Sequence, residues 1–264
     1  MRNNTNQAIG IFDSGIGGTS IWKEIYNILP WENTVYLSDS KNAPYGQKSK
    51  NEIIELSIKN VDYLLKHNCK LIVVACNTAT TNAIEILRNS YDIPFVGIEP
   101  AIKPAALHTK TNIIGILATK GTLNSKLFEQ TSARLDNPPV IIEQIGEGLV
   151  RLIEDGKMDT PEMDALLRTY LIPMIQANVD HIVLGCTHYP YLRNKIQAIV
   201  GTSITIIDSG YAVANQTKKL LEQHSLLNRQ ETAPKHYFYT NKNQNVLAEI
   251  LQDYPTATIE EMDF

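Results

Sequence analysis

The amino-acid sequence predicts an α/β protein made of two similar domains, each with a doubly wound parallel sheet. The first observation behind this prediction is that short apolar runs alternate with segments of helical periodicity along the 264 residues. Such alternation is typical of βαβ units, whose consecutive strands lie parallel in one sheet. The second is that the pattern restarts near residue 99, which indicates a loose internal repeat. The third is that each half contains an apolar run that ends at a cysteine.

In the first half, four apolar segments have the length of buried parallel strands. These predicted strands cover residues 8–13, 34–39, 71–75 and 94–98. Apolar residues at helical spacing predict helices around residues 21–29 and 54–65. The turn-rich sequence Asn-Ala-Pro-Tyr-Gly at residues 42–46 predicts a loop after the second strand.

The second half repeats this pattern of strands and helices. Its predicted strands cover residues 113–118, 140–144, 182–185 and 205–208. Its predicted helices cover residues 120–135, 145–155, 161–178 and 211–223. A later segment, residues 237–240, has the aromatic and β-branched composition of an edge strand.

Composition and charge exclude several classes of protein. The chain is 43% hydrophobic and 20% charged, which is ordinary for a soluble globular protein. Its net charge of −4 and the lack of a Lys/Arg block give no sign of a nucleic-acid partner. No apolar run reaches the roughly 20 residues that cross a membrane, and the polar N-terminus lacks a signal-peptide core. Three cysteines without zinc spacing predict free thiols, no metal site and a reducing cytoplasm.

The two cysteine segments are the strongest candidates for chemistry. Cys76 lies in Val-Val-Ala-Cys-Asn-Thr, and Cys186 lies in Val-Leu-Gly-Cys-Thr-His. Ligands of open α/β sheets bind beyond the carboxyl ends of the strands, where both thiols are expected. A helix N-terminus after each cysteine, and His188 beside Cys186, would favour a thiolate. Two thiols on either side of a carbon atom could remove a proton from one face and add one to the other.

Three loops are candidates for ligand contacts, although each also fits an ordinary turn. Asp13-Ser14-Gly15 follows the first strand, and its glycines allow close approach of a carboxylate to a helix N-terminus. This segment is not a full dinucleotide fingerprint. The Pro44-Tyr45-Gly46 loop could present backbone N–H groups. The segment from Thr119 to Thr122 mirrors the first loop in the second domain. Cys69 has no such context and is expected to be structural.

The sequence resembles the glutamate racemase family, which is part of the cofactor-independent aspartate/glutamate racemase superfamily. The segments that carry the resemblance are IGIFDSGIGG, APYG, VVACNTAT, LGCTHYPYL and IDSG. They extend from Ile9 to about Gly210, and the last 50 or so residues contribute little. The resemblance implies two α/β domains with the site between them, the first formed by residues 1–98 and 210–264 and the second by residues 99–209. It also implies a homodimer.

The resemblance further implies a role for individual residues. Cys76 and Cys186 would be the acid/base pair, with Asp13 tuning the first thiol and His188 assisting the second. Glutamate would be bound by a set of polar residues: Asp13, Ser14, Tyr45, Gly46, Asn77, Thr78, Thr119, Thr122, Thr187 and His188. Glu154 would support the second half of the site. No cofactor would be needed, and the product D-glutamate would supply peptidoglycan synthesis.

Other activities remain open from the residues themselves. Aspartate could replace glutamate in the same two-thiol chemistry, since the sequence does not show the geometry of the cleft. A hydrolase could use Cys186 and His188 as nucleophile and base, and it would not need Cys76. A third alternative is a two-lobed amino-acid-binding module without catalysis. A related decarboxylase would need one cysteine, so the presence of both disfavours it.

Overall fold

The computed structural model describes residues 4–133, 138–242 and 244–264 and contains two parallel sheets. The strands are β1 Ile9–Asp13, β2 Thr34–Ser38, β3 Leu71–Val74, β4 Phe95–Gly97, β5 Ile113–Ala118, β6 Val140–Ile145, β7 His181–Gly185, β8 Thr205–Ile207, β9 His236–Thr240 and β10 Ala257–Glu261. The helices are α1 Thr19–Ile28, α2 Lys50–Lys66, α3 Asn77–Ser90, α4 Ile102–His108, α5 Lys120–Leu123, α6 Lys126–Ala133, α7 Leu149–Glu154, α8 Pro161–Gln176, α9 Arg193–Val200, α10 Gly210–Gln223 and α11 Asn245–Ile250.

The first sheet has the order β10-β9-β2-β1-β3-β4, and the second has the order β6-β5-β7-β8. All paired strands are parallel. The second sheet therefore repeats the β2-β1-β3-β4 part of the first, so that β5 corresponds to β1 and β7 to β3. This confirms the predicted fold class and the internal repeat. We call each sheet with its helices the first and the second lobe.

The order of the strands brings the functional loops to one place. β1 and β3 are neighbours at the centre of the first sheet, as β5 and β7 are in the second. The loops after these four strands contain Ser14, Cys76, Thr119 and Cys186 respectively. Because parallel strands share a carboxyl edge, each lobe presents two of these loops together, and the two edges face each other.

Several predicted elements differ from the structure. The helix predicted over residues 120–135 is divided into α5 and α6, because the Ser125 hydroxyl accepts from the Phe128 amide and starts a new helix; residues 134 and 135 lie outside the described ranges. The helix predicted from residue 145 begins at Leu149, after Gly148 with a φ of 82°. Residues 237–240 belong to β9, an inner strand between β10 and β2, so the prediction of an edge strand is wrong.

The C-terminal segment belongs to the first sheet, since β9 pairs with β2 and β10 pairs with β9. α10 packs against α1 on one face of that sheet. The domain boundaries at residues 98 and 210 stay a prediction. Among the described residues, no helix combines the length and apolar character needed to cross a bilayer.

Candidate active site

The cleft between the lobes is lined by both cysteine segments. Its lining residues are Ser14, Pro44, Tyr45, Gly46, Cys76, Asn77, Thr78, Thr119, Val150, Cys186, Thr187 and His188. The structure thus brings most of the predicted site residues together. Asp13, Thr122 and Glu154 lie directly behind this lining.

Cys76 is buried at the start of α3. It is the N-cap residue of this helix, and its sulfur accepts a hydrogen bond from the Ala79 amide at 3.4 Å. Its thiol also lies 3.6 Å from the Ser14 hydroxyl. Burial first, and then the nearby Asp13 carboxylate, raise the pKa of Cys76 well above the usual range of a thiol. These surroundings therefore favour the protonated form of the Cys76 thiol.

Cys186 has a different environment, which corrects the prediction of a helix N-terminus at both cysteines. A 3₁₀ turn over Tyr189–Leu192 follows it, and α9 begins only at Arg193. The Cys186 sulfur instead lies 3.8 Å from Nδ1 of His188. Nε2 of His188 in turn lies 2.5 Å from Oε1 of Glu154.

The pKa of His188 reflects these two partners. Burial on its own would lower it, but the Cys186 sulfur and the Glu154 carboxylate outweigh burial and hold the pKa of His188 well above its usual range. The two thiols of the cleft therefore differ in their surroundings: Cys76 lies beside Ser14 and a helix amide, whereas Cys186 lies beside His188.

Asp13 links the two lobes at the base of the cleft. Its Oδ2 accepts from the amides of Gly15 and Gly18, each at 3.1 Å, and its Oδ1 accepts from the Thr187 hydroxyl at 3.1 Å. Burial raises the pKa of Asp13 from 3.8 to about 6, with His188 acting in the opposite sense. The same carboxyl group lies close enough to Cys76 to raise the pKa of that thiol.

The polar lining contains groups that still lack a partner. Asn77 is 2% exposed, and neither its amide nitrogen nor its oxygen has a hydrogen bond within the described protein. Buried amides are nearly always paired, so this side chain points to a ligand. Next to Asn77 in the chain, the hydroxyl of Thr78 lies 2.8 Å from that of Thr119, and that of Thr122 lies 3.0 Å from Thr119. This threonine cluster joins the lobes.

Tyr45 is fixed by groups that the sequence analysis did not identify. Its hydroxyl donates to Oδ2 of Asp39 at 2.5 Å and accepts from the Asn60 amide at 3.1 Å. Asn241, which directly follows β9, donates to Oδ1 of Asp39 at 2.5 Å. Burial and Asp39 raise the pKa of Tyr45 well above its usual range, so the phenol stays neutral. The C-terminal segment therefore helps to hold the Tyr45-Gly46 turn in the cleft.

Two more residues were missed by the sequence analysis. Ser40 donates from its hydroxyl to Oε2 of Glu154, and Val150 forms an apolar part of the lining. Ser40 could have been found from its position just beyond the carboxyl end of β2. Val150 carries no such signal, since an apolar residue near a helix start usually packs in the core. In the described part of the chain, no group of three or more His, Cys, Asp or Glu could hold a metal ion.

The fold and the site define a two-lobed α/β protein whose cleft contains one thiol from each lobe. Comparison with known proteins gives the particular family. The chain belongs to the Asp/Glu/hydantoin racemase family, which matches residues 28–217.

Individual relatives cover nearly the whole chain. A glutamate racemase from Cupriavidus pinatubonensis is 43% identical over 241 residues, 91% of this chain and 89% of that protein. The crystal structure of glutamate racemase isoform RacE1 from Bacillus anthracis covers 98% of both chains with a TM-score of 0.88 and 30% identity. Glutamate racemase from Escherichia coli, in complex with L-glutamate and the activator UDP-MurNAc-Ala, has a TM-score of 0.85 and 33% identity, covering 97% of this chain and 98% of that one.

Proposed function

We propose that this protein interconverts L- and D-glutamate by moving the α-proton between Cys76 and Cys186, without a cofactor. The observation that carries this proposal is the pair of unlike thiols in one cleft, each from the equivalent loop of its lobe. The names of the relatives supply the substrate, glutamate, and the enzyme class, an isomerase.

The reaction needs one base and one acid on opposite faces of the α-carbon. The Cys186 thiolate beside His188 takes the α-proton of one enantiomer, and the Cys76 thiol gives its proton to the other face. Configuration is inverted, and the two thiols have exchanged their protonation states. In this exchanged state, the site converts the opposite enantiomer by the same steps in reverse. Without that turnover, the resting state recovers when the thiol protons exchange with water.

The carbanion formed between these steps must be stabilised by the protein, because no cofactor serves as an electron sink. The N-terminus of α3 points its positive end into the cleft next to Asn77 and favours a carboxylate there. The unpaired amide of Asn77 and the hydroxyls of Ser14, Thr78 and Thr187 supply hydrogen bonds. In a cleft from which water is excluded, such donors stabilise developing charge strongly.

Closure of the lobes brings the thiols to contact distance of the α-carbon. We assign residues 1–98 and 210–264 to one moving unit and residues 99–209 to the other, and hydrogen bonds such as Thr187 to Asp13 join them. An α-proton is a poor acid, so its transfer needs a base held in place rather than one that diffuses. Substrate entry and product release then require the lobes to separate.

The cellular setting follows from the same proposal. The free, buried state of Cys69, Cys76 and Cys186 fits a reducing compartment, the cytoplasm. The family resemblance supports a homodimer and a supply of D-glutamate to peptidoglycan synthesis and hence to cell-wall formation. Growth of a depleted strain should then be restored by external D-glutamate.

Proton NMR in D₂O tests the proposed activity directly. Purified protein with L-glutamate should lose the α-proton signal while the D-enantiomer accumulates, and D-glutamate should give the converse. Parallel samples with L- and D-aspartate test the alternative substrate. Exchange with aspartate alone would reassign the substrate, and the absence of exchange with either would reject the racemase and leave the hydrolase and the binding module.

A further inference from the structure

Glu154 belongs to the second lobe but is held by the first. It is the last residue of α7 and is buried at 7% exposure. Its Oε2 accepts from the Ser40 hydroxyl at 2.6 Å, and its Oε1 accepts from the Ile16 amide at 2.7 Å. Both donors come from loops that follow strands of the first sheet.

The same carboxylate faces the histidine of the second lobe. Oε1 of Glu154 lies 2.5 Å from Nε2 of His188, whose Nδ1 lies 3.8 Å from the Cys186 sulfur. A continuous chain of polar contacts thus runs from Ser40 in one lobe to Cys186 in the other. Separation of the lobes would remove Ser40 and Ile16 from the carboxylate but leave Glu154, His188 and Cys186 in the same lobe.

The charges around Glu154 do not replace these donors. Of the neighbouring cations, Arg151 pairs with Asp155 at 3.9 Å and Lys242 pairs with Asp155 at 3.4 Å. Both are partly or fully exposed, so solvent screens their effect on the buried carboxylate. Among the described residues, the other charged neighbours of Glu154 are His188, Asp13 and Asp155, and both aspartates carry the same sign as Glu154.

We propose that Ser40 is a positioning residue that makes the Glu154–His188–Cys186 arrangement complete only when the lobes are closed. The proposal rests on the proposed racemase function and assigns Ser40 a part in it. In the open protein, water solvates the Glu154 carboxylate, which is then free to turn away from His188. On closure, Ser40 and Ile16 occupy the remaining acceptor positions of Glu154, so His188 is held toward Cys186.

The chain contains an internal reporter for this proposal, because its third cysteine lies away from the cleft. Cys69 is buried in the core of the first lobe next to Gly10, and burial raises its pKa to about 12. Lobe opening exposes Cys76 and Cys186 but leaves Cys69 covered, whereas unfolding exposes all three. Alkylation by iodoacetamide, followed by mass spectrometry of the three peptides, therefore separates opening from unfolding.

The test compares Ser40→Ala with Ser57→Ala in the full chain. Ser57 is a matched control, since it is also buried and its hydroxyl donates within α2, to the Ile53 carbonyl at 2.7 Å. Loss of a bond to a charged acceptor predicts, for Ser40→Ala, about tenfold faster alkylation of Cys76, which does not depend on His188, in the ligand-free protein. Alkylation of Cys69 should not change. Glutamate kcat/KM should fall about tenfold for both enantiomers.

Each other outcome contradicts the proposal. If Ser40→Ala behaves like Ser57→Ala, Ser40 has no positioning role; if alkylation of Cys69 rises in parallel, its role is only structural. Glu154→Gln, which removes the charged acceptor, gives a second variant with the same expected alkylation pattern should Ser40→Ala fail to fold. Because alkylation needs no glutamate, failure of this inference is distinct from failure of wild-type protein to exchange the α-proton.

Discussion

A methyl group at Gly17 should separate catalysis from stability. A Cβ atom built there would lie 2.2 Å from Nδ1 and 2.5 Å from Cγ of His188, which belongs to the other lobe. The backbone of Gly17 lies outside the left-handed region, so alanine fits its conformation. In Gly17→Ala, the imidazole must therefore retreat by about 1 Å or the lobes must stay apart.

The expected loss of activity follows from the contacts of His188. A retreat of this size breaks the 2.5 Å contact with Glu154 or lengthens the 3.8 Å contact with Cys186. A hydrogen bond to a charged group contributes about 1.5–3 kcal/mol, and 1.36 kcal/mol is a factor of ten. We expect kcat/KM for glutamate to fall by about ten- to 150-fold. The melting temperature should change by less than about 2 °C, because open lobes relieve the clash.

Gly18→Ala is the matched control, because its clash lies within the first lobe. A Cβ atom at Gly18 would lie 2.6 Å from Cβ of Asp13 and 3.1 Å from Cβ of Ala75, and opening of the lobes cannot relieve either contact. Overpacking of this kind costs about 1–3 kcal/mol, which lowers the melting temperature by several degrees. Racemisation followed by circular dichroism, with thermal unfolding of both variants, makes the comparison. A Gly17→Ala protein with kcat/KM within threefold of wild type would refute the closed arrangement.

Two further predictions concern the polar groups of the cleft. In Asn77→Ala, the KM for glutamate should rise about tenfold, while the melting temperature of the ligand-free protein should stay level or rise. The reason is that the Asn77 amide is buried without a partner in the described protein. A fall in melting temperature without a change in KM would contradict a role in ligand binding. Because the pKa of Asp13 is raised from 3.8 in the unfolded chain to about 6 in the fold, its contribution to stability is fully present below pH 4 and is lost as the pH rises through 6. Asp13→Asn should therefore remove about 3 kcal/mol of this pH dependence and raise the melting temperature at pH 7. Denaturant unfolding at pH 4 and pH 7 measures the free energy of unfolding of both proteins. If that free energy changes between the two pH values by the same amount in Asp13→Asn as in wild type, the raised pKa is contradicted.

The sequence pattern predicted the fold class and the positions of both thiols for a clear physical reason. Buried parallel strands are short apolar runs, and their carboxyl ends can be read from the residue at which the run stops. That residue is Val74 before Cys76 and Gly185 before Cys186. Because β1, β3, β5 and β7 share this signal, the loops that line the cleft could be located before any geometry was known.

The contacts between the lobes could not be predicted in this way. Ser40 and Glu154 are 114 residues apart, and Asp39 and Asn241 are 202 residues apart, so no local periodicity connects them. The prediction of a helix start at Cys186 failed because a 3₁₀ turn takes its place, and periodicity does not distinguish the two over so few residues. The inner position of β9 could not be predicted, because β9 is an inner strand only through its pairing with β10. β10 is a short and mostly exposed strand with a weak apolar pattern.

The isotopic content of product and residual substrate tests the two-thiol mechanism most directly. L-Glutamate is converted in D₂O to a small extent by wild type, Cys76→Ser and Cys186→Ser. The two enantiomers are then separated, and the deuterium content of each is measured by mass spectrometry. A two-base mechanism predicts deuterium at the α-carbon of the D-glutamate product and a retained α-proton in residual L-glutamate. It also predicts loss of racemisation in both variants. Equal deuterium in substrate and product, or an active Cys76→Ser variant, would contradict the mechanism and favour a single base at Cys186.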